Sequence, residues 1–163
     1  MRLVWPAAEH LPGYADALAR GWSHNTVRPE ARLEELAAIE ADPAAFLASL
    51  VDREAAGGPL TLPDGSTAQR LPGWRQWMWS DEGFCGSIGL RWQKGTEDLP
   101  PLVLGHVGYS VVPWQRRRGH ATAALAQLLP LARAEGLRWL WITTDPDNLG
   151  SQRVIQANGG VLD

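Results

Sequence analysis

One short segment constrains the fold of this 163-residue chain more than any other. It reads Val111-Val112-Pro113-Trp114-Gln115-Arg116-Arg117-Arg118-Gly119-His120-Ala121-Thr122. Apolar β-branched residues precede a proline that stops a strand, and a basic turn with one glycine then leads into a helical pattern. The segment therefore predicts a strand whose end is joined by a tight turn to the N-terminus of a helix.

The chemistry of this turn points to an anion. The first turn of a helix has free N–H groups and the positive end of the helix dipole. Gly119 lets the backbone approach a phosphate closely, and Arg116 to Arg118 add donors for charge-assisted hydrogen bonds. The turn predicts a diphosphate site; the alternative is an ordinary loop with solvated arginines. Neither a Gly-x-x-x-x-Gly-Lys-Ser/Thr loop nor a three-glycine dinucleotide motif is present.

The second half of the chain reads strand, helix, strand, helix. Glycines inside the first strand predict a bulge or a close backbone approach, at Gly105 and Gly108. The second strand is almost wholly apolar or β-branched, which predicts burial on both faces. Two strands joined by a helix form a parallel pair. The four elements are predicted at Leu102–Val112, Arg116 to about Glu135, Leu137–Thr144 and Asp147–Ala157.

The first half predicts helices followed by antiparallel hairpins. Helices are expected at 13–21, at 29–41 and from Asp42, whose side chain suits an N-cap. Strands are expected at Trp74–Ser80 and Phe84–Trp92, on either side of a tight turn. The expected fold class is α+β, one domain with a mixed sheet whose N-terminal strands are antiparallel and whose last pair is parallel.

Composition narrows the functional classes. The net charge of −3 argues against a nucleic-acid partner, although residues 101–163 carry 6 basic and 4 acidic groups. Cys85 is the single cysteine, in an apolar run that indicates a buried strand residue, and no Cys/His cluster has metal-ligand spacing. Neither a signal peptide nor a membrane span is evident. The expectation is a cytoplasmic protein without metal and without membrane contact.

Two motifs in the right order, together with the strand before the first of them, resemble the GNAT acetyltransferases. Arg116-x-x-Gly119-x-Ala121 matches the family's Gln/Arg-x-x-Gly-x-Gly/Ala signature, and the residues from Gly108 to Pro113 look like its fourth strand. The run from Thr144 to Ser151, with Asn158-Gly159-Gly160, is similar to its second cofactor motif. The resemblance covers about residues 73–160 and is nearest to an uncharacterised branch of predicted acetyltransferases. It implies a cofactor-binding core at 73–163 and an acceptor side at 1–72.

The resemblance also implies roles for particular residues toward acetyl-CoA. Backbone groups of Val111 and Val112 would pair with the pantetheine arm as with an added strand, and one of their N–H groups would polarise the thioester carbonyl. A bulge near Gly108 would open the slot beside residues 137–144. Asn148 and Ser151 would contact the pantetheine or adenosine. The diphosphate would lie on Arg116, Arg117, Arg118, Gly119, His120, Ala121 and Thr122.

The implied reaction is N-acetyltransfer, in which a primary amine of a small molecule or peptide attacks the thioester directly. A general base is useful because the amine must lose a proton. His106 and Tyr109 are the predicted catalytic residues, with Glu82 as a further candidate. The alternatives are a structural role for His106, packing for Tyr109 and a turn for Glu82.

Two departures from the family pattern keep other functions open. Ile155 stands where many members have a tyrosine that protonates the leaving thiolate, so Tyr109 or water would replace it. The two further strands that usually follow are also expected to be missing, which would leave a sheet edge exposed beside 137–144 and favour a homodimer. A CoA-binding module with little or no catalysis is one alternative. A nucleic-acid binder using Arg116 to Arg118 is the other, and net acidity argues against it.

Overall fold

The computed structural model describes residues 1–163 and contains both helices and strands, as expected for an α+β fold. The strands are β1 Arg2–Val4, β2 Val51–Asp52, β3 Leu60–Thr61, β4 Thr67–Ala68, β5 Gly73–Ser80, β6 Gly83–Arg91 and β7 Val107–Val111. The helices are α1 Leu11–Ala19, α2 Ala31–Ala41, α3 Pro43–Ser49, α4 His120–Ala134 and α5 Leu149–Ala157, with a 3-10 turn at Pro113–Gln115 before α4.

The helix ends follow from local chemistry. Asp42 is the predicted N-cap of α3, and its carboxylate accepts a hydrogen bond from the N–H of Ala45 at 3.1 Å. Gly119 precedes α4 in the left-handed conformation, with φ of 77°, and Gly136 follows the same helix with φ of 98°. Asn148 caps α5 by accepting from the N–H of Ser151 at 3.0 Å. These residues fix where α3, α4 and α5 begin and where α4 ends.

One antiparallel sheet organises the chain. Its main order is β1-β5-β6-β7, and β2 also pairs with β5. In the centre the register joins Arg75 to Gly89 and Gly89 to Gly108, so these three residues form one row across the sheet. The two-stranded β3-β4 hairpin is separate from this sheet. The antiparallel part of the predicted sheet is therefore confirmed.

Each face of the sheet has its own apolar cluster. On one face, α4 packs Leu125 and Leu128 against Ile88. On the other, the cluster formed by α1 and its neighbours includes Tyr14, whose ring stacks on Trp77 with 4.5 Å between centroids. Burying each of these large side chains contributes roughly 1.5–3 kcal/mol. Both faces of the sheet are therefore covered by helices, and β7 pairs with β6 along its whole length.

The segment after α4 differs from the prediction. Residues 137–144 form no strand, and all strand pairs are antiparallel, so the predicted parallel pair is not present. Burial on both faces is also wrong, because Trp139 and Trp141 are 49% and 44% exposed. The segment makes a single backbone–backbone hydrogen bond beside β7, from the N–H of His106 to the carbonyl of Trp141 at 2.8 Å. A single such contact is too little to form a ladder.

Two details of the preceding strand also differ. The strand begins at Val107 instead of Leu102, and its pairing with β6 runs through Gly108 without a bulge. Gly105 does make the close backbone approach that was expected, since a Cβ there would lie 3.0 Å from the carbonyl oxygen of Trp141. No strand follows α5 within these 163 residues.

Candidate active site

A run of free backbone donors marks the loop between β7 and α4. No backbone carbonyl accepts a hydrogen bond from the N–H groups of Arg116 to Thr122, and the first to be used is that of Ala123, which donates to Gly119. Those of His120 to Thr122 belong to the first turn of α4, where a helix leaves its N–H groups unpaired. The positive end of the helix dipole lies at the same place. The loop can therefore bind an anion through several amides at once.

The shape of this loop depends on two left-handed residues. Arg117 has φ of 62° and Gly119 has φ of 77°. For arginine this conformation is strained by about 1–3 kcal/mol, which the surrounding fold must offset. Left-handed residues alternating with ordinary ones turn successive N–H groups toward a common concave side, as in anion-binding nests. The strained backbone is thus a local reason to expect a ligand there.

A polar network holds the loop from the β5–β6 turn. The carboxylate of Glu82 accepts from Nε2 of Gln115 at 2.9 Å and from the guanidinium of Arg118. Oε1 of Gln115 lies 3.3 Å from Nε2 of His120. Gln115 and then Arg118 lower the pKa of Glu82, whereas burial and then the amino group of Met1 lower the pKa of His120. Glu82 is thus an ionised partner of the loop.

The exposed edge of β7 offers backbone groups beside the loop. In an antiparallel pair alternate residues bond to the neighbouring strand. The N–H of Val112 donates to the carbonyl of Cys85 at 2.9 Å, and its own carbonyl accepts from Gln115, so Val112 is used inside the protein. The register then directs the backbone N–H and C=O groups of Tyr109 and Val111 toward the outer edge of the sheet. Of the two valines predicted to bind the cofactor backbone, the geometry leaves Val111 available.

The predicted residues of the second motif lie against β7. Asn148 caps α5 through Ser151, and the hydroxyl of Ser151 lies 2.5 Å from the hydroxyl of Tyr109. Burial raises the pKa of Tyr109, so its hydroxyl keeps its proton at neutral pH. The structure therefore brings Tyr109, Asn148 and Ser151 together beside the outer edge of β7, while Arg116 to Thr122 lie at its end.

His106 occupies a different environment. It is fully buried, and its Nδ1 accepts the N–H of Trp141 at 2.9 Å. The hydrogen of the neutral ring is then on Nε2, which has no partner. Burial and then the charge of Arg91 lower its pKa. Its only lone pair is engaged, so the ring holds the 137–144 segment in place in this conformation.

Several residues that shape the site were missed in the sequence. Asn158 donates from Nδ2 to the carbonyl of Thr122 at 3.2 Å and so ties α5 to the start of α4. The guanidinium of Arg20 lies over the ring of Trp114, 3.6 Å from its centroid, and connects α1 to the loop. In the sequence Asn158 belongs to the second cofactor motif, but no role of its own is predicted for it. The Arg20–Trp114 contact spans most of the chain, so no local spacing indicates it.

The arrangement suits a long ligand with an anionic middle. The free amides of the loop fit a diphosphate, and the outer edge of β7 fits an extended chain with amide groups that can pair as a strand does. A free N–H on that edge can stabilise negative charge on a carbonyl oxygen. The Tyr109 hydroxyl can donate a proton next to it. Acyl transfer from a phosphate-containing carrier is the chemistry that these groups support together.

Comparison with known proteins identifies one family. The family described as "Acetyltransferase (GNAT) domain" matches residues 26–161. No curated protein and no solved structure gives a match. None of the helices combines the length and the apolar character that crossing a bilayer requires.

Proposed function

The chain belongs to the GNAT acetyltransferase family, and from that premise we propose that it moves an acetyl group from acetyl-CoA to a primary amine of a small molecule or peptide. Membership of the family supports acetyltransferase activity in general. The proposal adds three points to this: the donor is acetyl-CoA, the acceptor is a primary amine, and the amine attacks the thioester directly.

One observation carries the proposal: the N–H groups from Arg116 to Thr122 have no backbone acceptor and lie directly after β7. Arg116, Arg117, Arg118, Gly119, His120, Ala121 and Thr122 would bind the diphosphate. The outer edge of β7 at Tyr109 and Val111 would pair with the pantetheine. Asn148 and Ser151 would flank the same arm from α5. When bound, acetyl-CoA supplies an acyl group on a thiol that leaves readily.

Two groups of the chain would assist the transfer. The outward N–H of Val111 would donate to the carbonyl oxygen and stabilise its developing charge. The Tyr109 hydroxyl, held at 2.5 Å from Ser151, would supply the proton that the leaving sulfur needs. Tyr109 would thus take the role of the tyrosine that many family members have at the position of Ile155. His106 would have to release the N–H of Trp141 before it could accept a proton, so we assign it a positioning role.

A CoA-binding module with weak or no catalysis is the second candidate. It is favoured by Ile155, an aliphatic residue where many family members have the acid. In such a module the loop would still bind the diphosphate, but no amine would be acetylated. The two candidates therefore agree on binding and differ in turnover.

Calorimetry and a thiol assay separate these functions. Titration of acetyl-CoA into the protein should give binding with one site per chain; an absence of binding would contradict both candidates. Release of free CoA thiol is then followed over a panel of amines and short peptides. Turnover with at least one amine supports the enzyme, and saturable binding without turnover over the panel supports the module.

Two further expectations remain predictions. Homodimer formation along residues 137–144 is consistent with the exposure of Trp139 and Trp141, and sedimentation velocity would test it. The cytoplasmic location that the composition suggests is tested by fractionation of cells that produce the protein.

A further inference from the structure

A charged network lies on the face of the sheet opposite α4, between α1, α2 and β5. Nη2 of Arg75 donates to Oε2 of Glu35 at 2.6 Å, and Nη1 donates to the hydroxyl of Tyr14 at 3.0 Å. That hydroxyl donates to Oε1 of Glu35. The side chains of Arg75 and Glu35 are only 20% and 12% exposed. None of these residues belongs to the proposed acetyl-CoA site described above.

The network fixes the protonation of His24. Burial raises the pKa of Glu35, but Arg75 and then His24 bring it down to about 2, so this carboxylate is ionised and only accepts hydrogen bonds. Nδ1 of His24 lies 3.2 Å from Oε1 of Glu35 and must therefore carry the hydrogen. The lone pair is then on Nε2, which has no hydrogen-bond partner in the protein. The His24 side chain is 25% exposed.

The charge state of His24 suits a base. Burial and then the Arg75 guanidinium lower its pKa, with a smaller contribution from Arg28, while Glu35 raises it. These are the charged groups that face the ring from α2, β5 and the loop before α2. The imidazole is consequently neutral at pH 7 and can accept a proton. Glu35, which is far more acidic, orients the ring and is itself a poor base.

The sheet connects this network with the outer edge of β7. Arg75, Gly89 and Gly108 lie in one row of the register, and strands about 4.8 Å apart put Gly108 roughly 10 Å from Arg75. The Arg75 side chain crosses over Gly89, since a Cβ at Gly89 would lie 3.1 Å from Arg75 Cγ. At Gly108 nothing lies within 4 Å of an added Cβ. The network thus borders an open stretch of β7.

The loop that carries His24 is attached to the same strand. Nε1 of Trp22 donates to Oγ of Ser110 at 3.0 Å, and Ser110 lies two residues along β7 from Gly108. His24 follows Trp22 by two residues, a span of at most about 7 Å between Cα atoms. The imidazole therefore lies on the sheet face that carries Arg75 and the open space above Gly108.

We propose that this opening receives the acceptor amine and that His24 is the base that deprotonates it. The inference rests on the proposed function and adds a site to it. The amine nitrogen attacks the thioester carbonyl carbon, a C–N bond forms, the C–S bond breaks and the sulfur leaves with the electron pair. The proton lost by nitrogen goes to Nε2 of His24, directly or through one water, and the thiolate gains a proton to become the free thiol.

The composition of the opening also restricts the acceptor. Glu35 and Arg75 neutralise each other and His24 is neutral, so none of these three groups supplies an unpaired charge for an ammonium or a carboxylate. The amine is recognised as a free base whose N–H donates to Nε2. Since Gly108 has no side chain, the acceptor can approach the backbone of β7 from this face.

Histidine NMR tests the geometry without any substrate. In the full chain with ¹⁵N-labelled histidine, we expect His24 as the Nδ1–H tautomer with a pKa below 6.5. Observation of the Nε2–H tautomer would overturn the proposal, because the lone pair would then face Glu35. This readout stands even if a variant fails to fold.

Kinetics test the role itself. His24→Asn keeps a donor for Glu35 and removes the base, so kcat at pH 7 should fall about 100-fold or more with the amine found in the thiol assay. The affinity for acetyl-CoA should stay unchanged. His10→Gln is the matched control, because the His10 ring precedes α1 and packs against Trp79 and has no bond to the network; this variant should retain activity. Turnover within threefold of wild type in H24N overturns this inference alone, whereas failure of the wild type to bind acetyl-CoA removes the proposed function as well.

Discussion

His106 and Trp141 hold each other by two hydrogen bonds that do not belong to a strand ladder. The N–H of His106 donates to the carbonyl of Trp141 at 2.8 Å, and the N–H of Trp141 donates back to the imidazole Nδ1 at 2.9 Å. A side chain thus takes the place that a backbone carbonyl has in a ladder. The pair attaches residues 137–144 to the start of β7 and lets the two segments separate beyond it.

Removal of this imidazole should mainly reduce stability. In His106→Leu the N–H of Trp141 loses its acceptor, and the free energy of unfolding should fall by about 1–3 kcal/mol in urea titrations. His106→Asn offers an amide oxygen and should recover part of that loss. If H106N folds as well as wild type but its thiol-release rate falls more than 100-fold, His106 is a catalytic base after all.

The left-handed glycine in the loop should be needed for acetyl-CoA binding. Gly119→Ala puts a Cβ at φ of 77°, which costs about 1–2 kcal/mol and moves the amides of the loop. Loss of one charge-assisted hydrogen bond corresponds to a weakening of about tenfold or more by calorimetry. Gly136→Ala is the matched control, because it has φ of 98° and open space but follows the far end of α4. Equal weakening in both variants would point to a general loss of stability.

Glu82 should restrain Arg118 in the free protein. Glu82→Gln removes a negative charge beside the loop and frees Arg118 to turn toward the diphosphate, so acetyl-CoA should bind about three- to fivefold more tightly at low salt. The gain should shrink as ionic strength rises. Asp81→Asn, in the same turn, should have little effect. Weaker binding in E82Q would mean that Glu82 instead holds Arg118 in its productive position.

Acid should weaken the network around Glu35 within a defined pH range. The pKa of Glu35 falls from an ordinary value of 4.5 to about 2 in the folded chain. A carboxyl with a depressed pKa stabilises the fold above its unfolded pKa, and the contribution is lost as pH falls through 4.5 toward 2. The shift corresponds to about 3 kcal/mol, so Glu35→Gln should be destabilised by that order at pH 7 and by much less at pH 2.

The neighbouring carboxylate provides the control for that experiment. Glu34 is 63% exposed and pairs with Arg28 at the surface, where such pairs contribute about 0–1 kcal/mol. Glu34→Gln should therefore change chemical denaturation curves only slightly at any pH. A loss in E34Q as large as in E35Q would contradict the special role of the buried carboxylate.

Local patterns predicted the parts of the fold that depend on near neighbours in sequence. The cap at Asp42, the paired strands before Trp92 and the turn with Gly119 each follow from the types of a few adjacent residues. The same turn indicated the anion site, because free amides at a helix start are a local property. These elements and the general class of the site could therefore be inferred from the order of the amino acids alone.

Properties set by distant partners could not be read in this way. The run from Leu137 to Thr144 has the composition of a buried strand, but whether another strand lies close enough to pair is not a local property. The availability of Val111 instead of Val112 depends on the register with β6. Glu35 and Arg75 are 40 residues apart, and nothing in their spacing indicates that they meet.

The alternation along β7 makes this strand sensitive to length. Its even-numbered residues bond to β6, and its odd-numbered residues present their amides at the outer edge. Insertion or deletion of a single residue would exchange these two sets and turn every side chain to the opposite face. A change of one residue in the length of the strand would therefore give the outer amides to different residues and take Gly108 away from its face of the sheet in the same event.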